Sequence, residues 1–233
     1  CFFEEHSLSE LNIACSGLSI SAKEDDWLSL ASNNTNIRMS LEELYKEFKD
    51  ASILGSLINP SASLKRGTLF DQPWEDVGPI LAKALSKEHN VEKSELGIVA
   101  FGIAKAATLL TSKYHWIITN VPYLGMKRMD KTLYEYCEAN YSTSKADLAT
   151  VFLNRWIRSS YVGANISLVM PQNWLFLGSY KAFRNELLAN QSLNYVVLLG
   201  SRAFETITGE VVQANLFSLN VSLKIVSCCF IGK

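Results

Sequence analysis

The sequence predicts an α/β protein built on a doubly wound, mostly parallel sheet whose last strand runs antiparallel. Three observations predict it. From Tyr114 onward, short apolar runs alternate with amphipathic stretches, the strand–helix–strand rhythm of a parallel sheet covered on both faces. The strand-like runs "HWIITN", "ANISLVMPQNWLF" and "LNYVVLLG" are nearly all apolar, as buried parallel strands are. Only "SRAFETITGE" separates "LNYVVLLG" from "VVQANLFSLN", with no helix between them, so these two strands pair antiparallel and form a mixed edge.

In chain order, "LNIACSGLSIS" reads as a short strand and a turn. A helix is expected over Ser40–Ile58: Ser40 and Glu43 have capping-box spacing, and Leu41, Leu44, Tyr45 and Phe48 recur at helical intervals. Pro60 breaks it. "WEDVGPILAKALSKEHN" and "VEKSELGIVAFGIAKAATLLTSK" read as two more helices, the second with apolar residues on several faces, suited to packing on a sheet. "HWIITN" is a buried strand. "SKADLATVFLNRWIRSSYVG" is a helix with an apolar face of Leu148, Val151, Phe152, Trp156 and Ile157, ending at Gly163. Pro171 stops the next strand, "SYKAFRNELLANQ" is a helix, and Gly209 in "ETITGEVVQ" fits a hairpin turn.

The totals exclude several classes. The 233 residues carry a net charge of −1, without the basic excess of a compact nucleic-acid-binding module. The five cysteines form no C-x-x-C pair, which favours a reducing cytoplasm over a disulfide scaffold. His6, His89 and His115 are too scattered to suggest a metal. No apolar stretch approaches the roughly 18 residues of a membrane span, and no signal peptide opens the chain. Cys1 and the closing "KIVSCCFIGK" read as cut ends of an internal piece of a longer protein.

"YHWIITNVPYLG" holds the most chemistry. An exocyclic amine is a poor nucleophile because its lone pair is delocalised, and acceptors on its N–H hydrogens favour the nitrogen as it leaves planarity. Asn120 offers a side-chain carbonyl, and Val121 a backbone carbonyl aimed by Pro122, which holds Val121 extended. Tyr123 offers a ring on which a base could stack. Asn and Pro at a strand end also form ordinary turns, so on these residues alone a plain turn and an active-site turn are both open. Around the turn, Asp147 opens a helix, and Pro171, Gln172, Asn173 and Trp174 end the next strand on the same rim. Asp147 reads as a helix cap or a substrate contact, Asn173 as turn or pocket, Trp174 as core or base platform, and Gln213 as reaching DNA or only a neighbouring strand. Lys145 reads as a solvated lysine or a phosphate contact.

"IITNVPYLG" resembles motif IV of the amino-methyltransferases, usually Asn/Asp-Pro-Pro-Tyr/Phe. With "LGSLI", "YSTSKADLATVFLNRW", "LVMPQNWLFLGSYKAFRNELL" and "LLGSRAFETITGEVVQANLFSL", the chain resembles the adenine-specific DNA methylases of the Pgl/BREX phage-defence systems. More distantly it is similar to the fused type II restriction–modification methylases. The resemblance runs over residues 50–220, most strongly 114–219. It implies a partial Rossmann-like class I methyltransferase fold: a connecting, partly helical portion over 1–95, the C-terminal half of the catalytic domain over 96–220, and a truncated tail over 221–233. It also implies N6 methylation of an adenine flipped out of double-stranded DNA. Asn120 and the Val121 carbonyl would hold the amine and Tyr123 would stack the base. S-adenosyl-L-methionine would be the donor, with no metal. The setting would be cytoplasmic, with other defence-system subunits as partners and no membrane. Val121 departs from the family's first proline, so looser placement of Asn120 and weaker activity are expected. No G-x-G loop for the cofactor occurs in the chain, so it is expected to bind the donor poorly and to be inactive alone. Kindred amino-methylation of RNA or protein glutamine, and a catalytically dead DNA-binding or assembly domain, are the alternatives.

Overall fold

The computed structural model describes residues 11–18, 20–31, 35–60, 91–200, 213–221 and 229–231. It divides into two compact units, Cys1–Thr111 and Ser112–Lys233. The expected helix over 74–90 and the Gly209 turn lie outside the described residues.

The described part of the first unit is helical. Helix α1 (Glu24–Ser29) carries Glu24, Asp25 and Asp26 in its first turn, where negative charge favours the helix start. Its Trp27 is buried and donates through Nε1 to the Leu41 carbonyl at 2.7 Å. Helix α2 (Thr35–Phe48) begins earlier than its capping-box spacing predicts, which puts Ser40 inside it. The apolar stripe explains this: Ile37 is buried in line with Leu41, Leu44 and Phe48, so burial extends the helix one turn upstream. At the other end a single helix to Ile58 does not form. A short α3 (Ala51–Leu54) stops at Gly55, whose φ of +51° leaves the helical region, and a 3₁₀ turn follows over Gly55–Leu57. "LNIACSGLSIS" contains no described strand; it has a turn at Ser16 and Gly17, with Ser16 hydrogen-bonded to Ser56 at 2.9 Å. Helix α4 (Val91–Thr111) buries a single stripe of Ala100, Ile103, Ala104, Ala107 and Leu110. Within its own unit it packs on α2.

The second unit is α/β. Strand β1 (Tyr114–Asn120) pairs in parallel with β2 (Ser160–Pro171). Between them come helices α5 (Lys131–Asn140) and α6 (Leu148–Arg158). Helix α7 (Lys181–Asn190) leads from β2 to β3 (Ser192–Gly200), which is followed by β4 (Ala214–Asn220) and β5 (Cys229–Ile231). The order across the sheet is β1-β2-β4-β3-β5. Strand β4 is antiparallel to both β2 and β3, while β5 is parallel to β3.

The expected antiparallel pair of β3 and β4 is present, but β4 is not an edge. Ala214, Asn215, Phe217, Ser218 and Leu219 are buried on both faces of β4, which lies between β2 and β3. Strand β1 departs in the opposite sense. It was expected to be buried, yet it has no buried residue, and Trp116 and Ile118 are 70% and 83% exposed. Among the described residues it pairs on one side only. Apolar composition therefore gave strand identity but not depth. Helix α6 ends at Arg158, before Gly163, because Tyr161 and Val162 are already extended in β2. Gly163, at φ +85°, donates to the Val221 carbonyl at 2.8 Å within the strand. The core joins Ile166, Leu168 and Met170 of β2 to Phe217 and Leu219 of β4 and to Phe183 and Leu187 of α7.

Candidate active site

Strands β1 and β2 point their carboxyl ends the same way, and the antiparallel β4 begins there. Asn120, Pro171 and Gln213 therefore come to one end of the sheet, as the parallel rhythm predicts for a ligand site. A cleft of about 570 Å³ opens at that end. Tyr123, the Gly125–Arg128 turn, Gln172, Asn173 and Gln213 line it. Asp147 and Tyr180 also line it.

The turn that ends β1 divides its side chains. Asn120 and Pro122 are exposed, whereas Val121 is 5% exposed and sits in the core cluster with Ile166 and Leu168. Tyr123 is half-buried: it packs against that core and also lines the cleft. Its hydroxyl donates to Asn120 Oδ1 at 3.3 Å, so a substrate amine would compete for an acceptor that the phenol already uses. Burial, and then the nearby Asp147 carboxylate, push the Tyr123 phenol pKa above its ordinary value.

Asp147 is 9% exposed. It caps α6 by accepting from the Ala149 N–H at 2.8 Å. Burial raises its pKa, and the backbone N–H groups of Ala149 and Leu124 oppose that rise without cancelling it. Tyr180, buried beside it, has a phenol pKa pushed up to about 12 by burial and then by the Asp147 charge. Lys145 pairs with Glu138 at 2.5 Å and is a solvated, ion-paired lysine.

Of the residues the sequence singles out, Tyr123, Asp147, Asn173 and Gln213 meet in the cleft. Trp174 does not. It is 3% exposed, with Phe217 and Phe183 edge-on at 5.1 Å and 6.0 Å, so the base-platform alternative gives way to a core role. Gln213 reaches the neighbouring strand: its backbone carbonyl accepts from the Gln172 N–H at 2.8 Å, and the two side-chain amides are bonded. Asn173 stands exposed on the rim, its carbonyl accepting from Phe176 and Leu177.

Sequence reasoning passes over Tyr180, Lys127, Arg128 and Arg184. Arg184 donates to the Trp174 and Leu177 carbonyls at 2.6 Å and 2.7 Å, fastening the rim after β2 to α7. No periodicity marks these residues, because their roles arise from chain segments that meet only in space. Among the described residues no group of His, Cys, Asp and Glu could hold a metal, and no helix is long and apolar enough to cross a membrane.

The sequence profile of the Eco57I restriction-modification methylase family matches residues 10–204, most of the chain. The chain belongs to that family. Two curated relatives are similar to it. The adenine-specific methyltransferase BrxX of Escherichia coli O9:H4 (strain HS) is 32% identical over 152 residues, which is 63% of this chain and 13% of the relative. The adenine-specific methyltransferase PglX of Lacticaseibacillus casei (strain Zhang) is 31% identical over 179 residues, 76% of this chain and 14% of the relative. The chain thus spans about a seventh of either. Among solved structures, a DrdV–DNA complex aligns at 17% identity over 59% of this chain and 16% of that one, with a TM-score of 0.45, too slight a likeness to argue from. In this methylase family, the matched segment includes the whole turn at Asn120–Tyr123 and the start of α6.

Proposed function

We propose that this methylase-family chain supplies the amine-holding side of an adenine-N6 methylation site acting on DNA. The observation that carries the reading is the exposed Asn120 amide beside a half-buried Tyr123 ring on a cleft at the carboxyl ends of β1 and β2. Asn120 Oδ1 and the Val121 carbonyl accept from the two N–H hydrogens of the amine. That favours the tetrahedral nitrogen over the planar one and so stabilises the charge that develops in the transition state. Tyr123 stacks the extruded base, and its hydroxyl releases Asn120 Oδ1 when the amine arrives.

The Val121 side chain offers a substitute for the missing proline. Buried in the core, it anchors the turn by packing rather than by ring geometry. Lys127 and Arg128, exposed on the cleft wall, suit the phosphates flanking the extruded nucleotide.

The family implies S-adenosylmethionine, which would supply an electrophilic methyl group. The chain has no G-x-G loop, and the cleft described here does not provide the glycine cradle such a donor takes, so no role in holding it is assigned to these residues. A cytoplasmic place in a phage-defence or restriction–modification system, with other subunits, belongs to the same proposal, supported by membership in a restriction-modification methylase family.

The test is nucleoside mass spectrometry of DNA from cells carrying the full-length protein or its Asn120→Ala variant. N6-methyladenine with the wild type and a loss of about 10²–10³ in rate with the variant are expected. Equal methylation by both, or none by the wild type, would sink the assignment.

A further inference from the structure

We infer that Tyr180 reads the target base: its hydroxyl, open to the cleft, donates to a ring nitrogen beside the amine of the extruded adenine. The inference deepens the proposed amine-holding role of the Asn120–Tyr123 turn and rests on it.

The backbone and the core hold Tyr180 in place. It closes a 3₁₀ turn over Gly178–Tyr180 and directly precedes α7. Its N–H donates to the Leu177 carbonyl at 3.2 Å, and Arg184 of α7 holds the same carbonyl. The residue is 7% exposed and belongs to the core cluster with Trp174 and Phe183, yet it also lines the cleft with Tyr123. Close packing around the ring fixes where its hydroxyl stands.

The hydroxyl is the part that packing does not use. A buried phenol normally finds a partner inside the protein, but the Tyr180 hydroxyl has none among the described residues. Nor is it one of the fully enclosed polar atoms left without a partner, so it opens to the space the residue lines, which is the cleft. Asp147 lines the same cleft, but the bond its carboxylate makes is to the Ala149 N–H and not to the phenol. With a pKa pushed up to about 12, the phenol is neutral and keeps its proton to donate. The other polar groups there are placed differently. The Gln172 and Gln213 amides are bonded to each other, and Asn173 and Ser179 are exposed on the rim.

Adenine supplies what such a donor needs. With both amine hydrogens held by Asn120 Oδ1 and the Val121 carbonyl, the ring positions on either side of the amine offer the acceptors N1 and N7. Cytosine carries its amine between one ring nitrogen and a C–H. A phenol on the N7 side would therefore reject cytosine, and one on the N1 side would not.

The test compares the full-length protein with its Tyr180→Phe variant on adenine, 7-deazaadenine and 1-deazaadenine. Methylation kcat/KM is measured on duplexes carrying the methylated site. Kd is measured on oligothymidylate strands holding one central purine, where no base pair has to open. Removing the hydroxyl should weaken both by about three- to tenfold for adenine, as loss of one neutral hydrogen bond does. Tm should stay unchanged, because the ring and its packing remain. For the analogue lacking the nitrogen that the phenol meets, wild type and variant should perform alike, while the other analogue should show the same loss as adenine. An equal loss for adenine and both analogues, or no loss for adenine, would overturn the base-reading role. A wild type that methylates no adenine would sink the proposed function instead, and the single-strand binding comparison would still decide whether Tyr180 meets a purine nitrogen.

Discussion

Asn120, Val121 and Tyr123 are neighbours in sequence that do different physical work. The half-buried ring lines the cleft and its hydroxyl bonds the exposed Asn120 amide beside it, while the valine between them is a core residue. This separates two kinds of failure. Tyr123→Ala removes the stacking surface and should weaken binding of DNA containing an extruded base by about 1–3 kcal/mol, measured by titration with 2-aminopurine at the target, and should lower Tm as well, because the ring packs against the core. Tyr123→Phe keeps the ring and frees Asn120 Oδ1, so binding should be retained. Val121→Ala should leave the stacking surface in place and lower stability by about 2 kcal/mol in urea unfolding through lost burial and a small cavity. Motif spacing made Asn120 and Tyr123 conspicuous. The same spacing presented Val121 as a defect, because a sequence does not show that its side chain is enclosed by Ile166 and Leu168.

At the scale of elements, the cleft depends on helix starts and strand ends. Burial and the Asp147 charge make the neutral Tyr180 phenol favourable in the folded protein. Between pH 10 and about 12 the folded state keeps a proton that the unfolded chain has released, so this contribution is full below pH 10 and is lost as pH rises towards 12. Tyr123 follows in the same direction. Asp147, raised from 3.8, likewise contributes most below pH 3.8, and its contribution falls as pH rises through its shifted pKa. A tyrosinate absorbance titration should show a late inflection near pH 12 that Tyr180→Phe abolishes. Helix periodicity gave α6, α7 and much of α2 correctly, but it missed where they begin and end. Ile37 extends α2 by tertiary burial, and Tyr161 and Val162 are claimed by β2 before α6 can reach Gly163. Helix α5 stays unassigned by that reading, although Asp130 caps it and Leu133 and Cys137 form its buried side.

For the molecule as a whole, the sheet order is the decisive fact. Strand β4 enters between β2 and β3, and its first residues bring Gln213 against Gln172 at the rim. Phe217 is the centre of that insertion, buried on β4 with Trp174 edge-on. Phe217→Ala should therefore lower stability by about 3–5 kcal/mol by chemical denaturation and loosen the rim with it. The sequence by itself determined the α/β class, the antiparallel sense of the β3–β4 pair and the composition of the turn at Asn120–Tyr123, since each is written in local pattern. Only the tertiary structure decided that β4 lies inside the sheet, that β1 is exposed, that Trp174 belongs to the core and that the backbone at Asp147 bridges to Gly125. Those outcomes turn on which surfaces are buried against which, and burial is settled by segments that are distant along the chain and adjacent only once it folds.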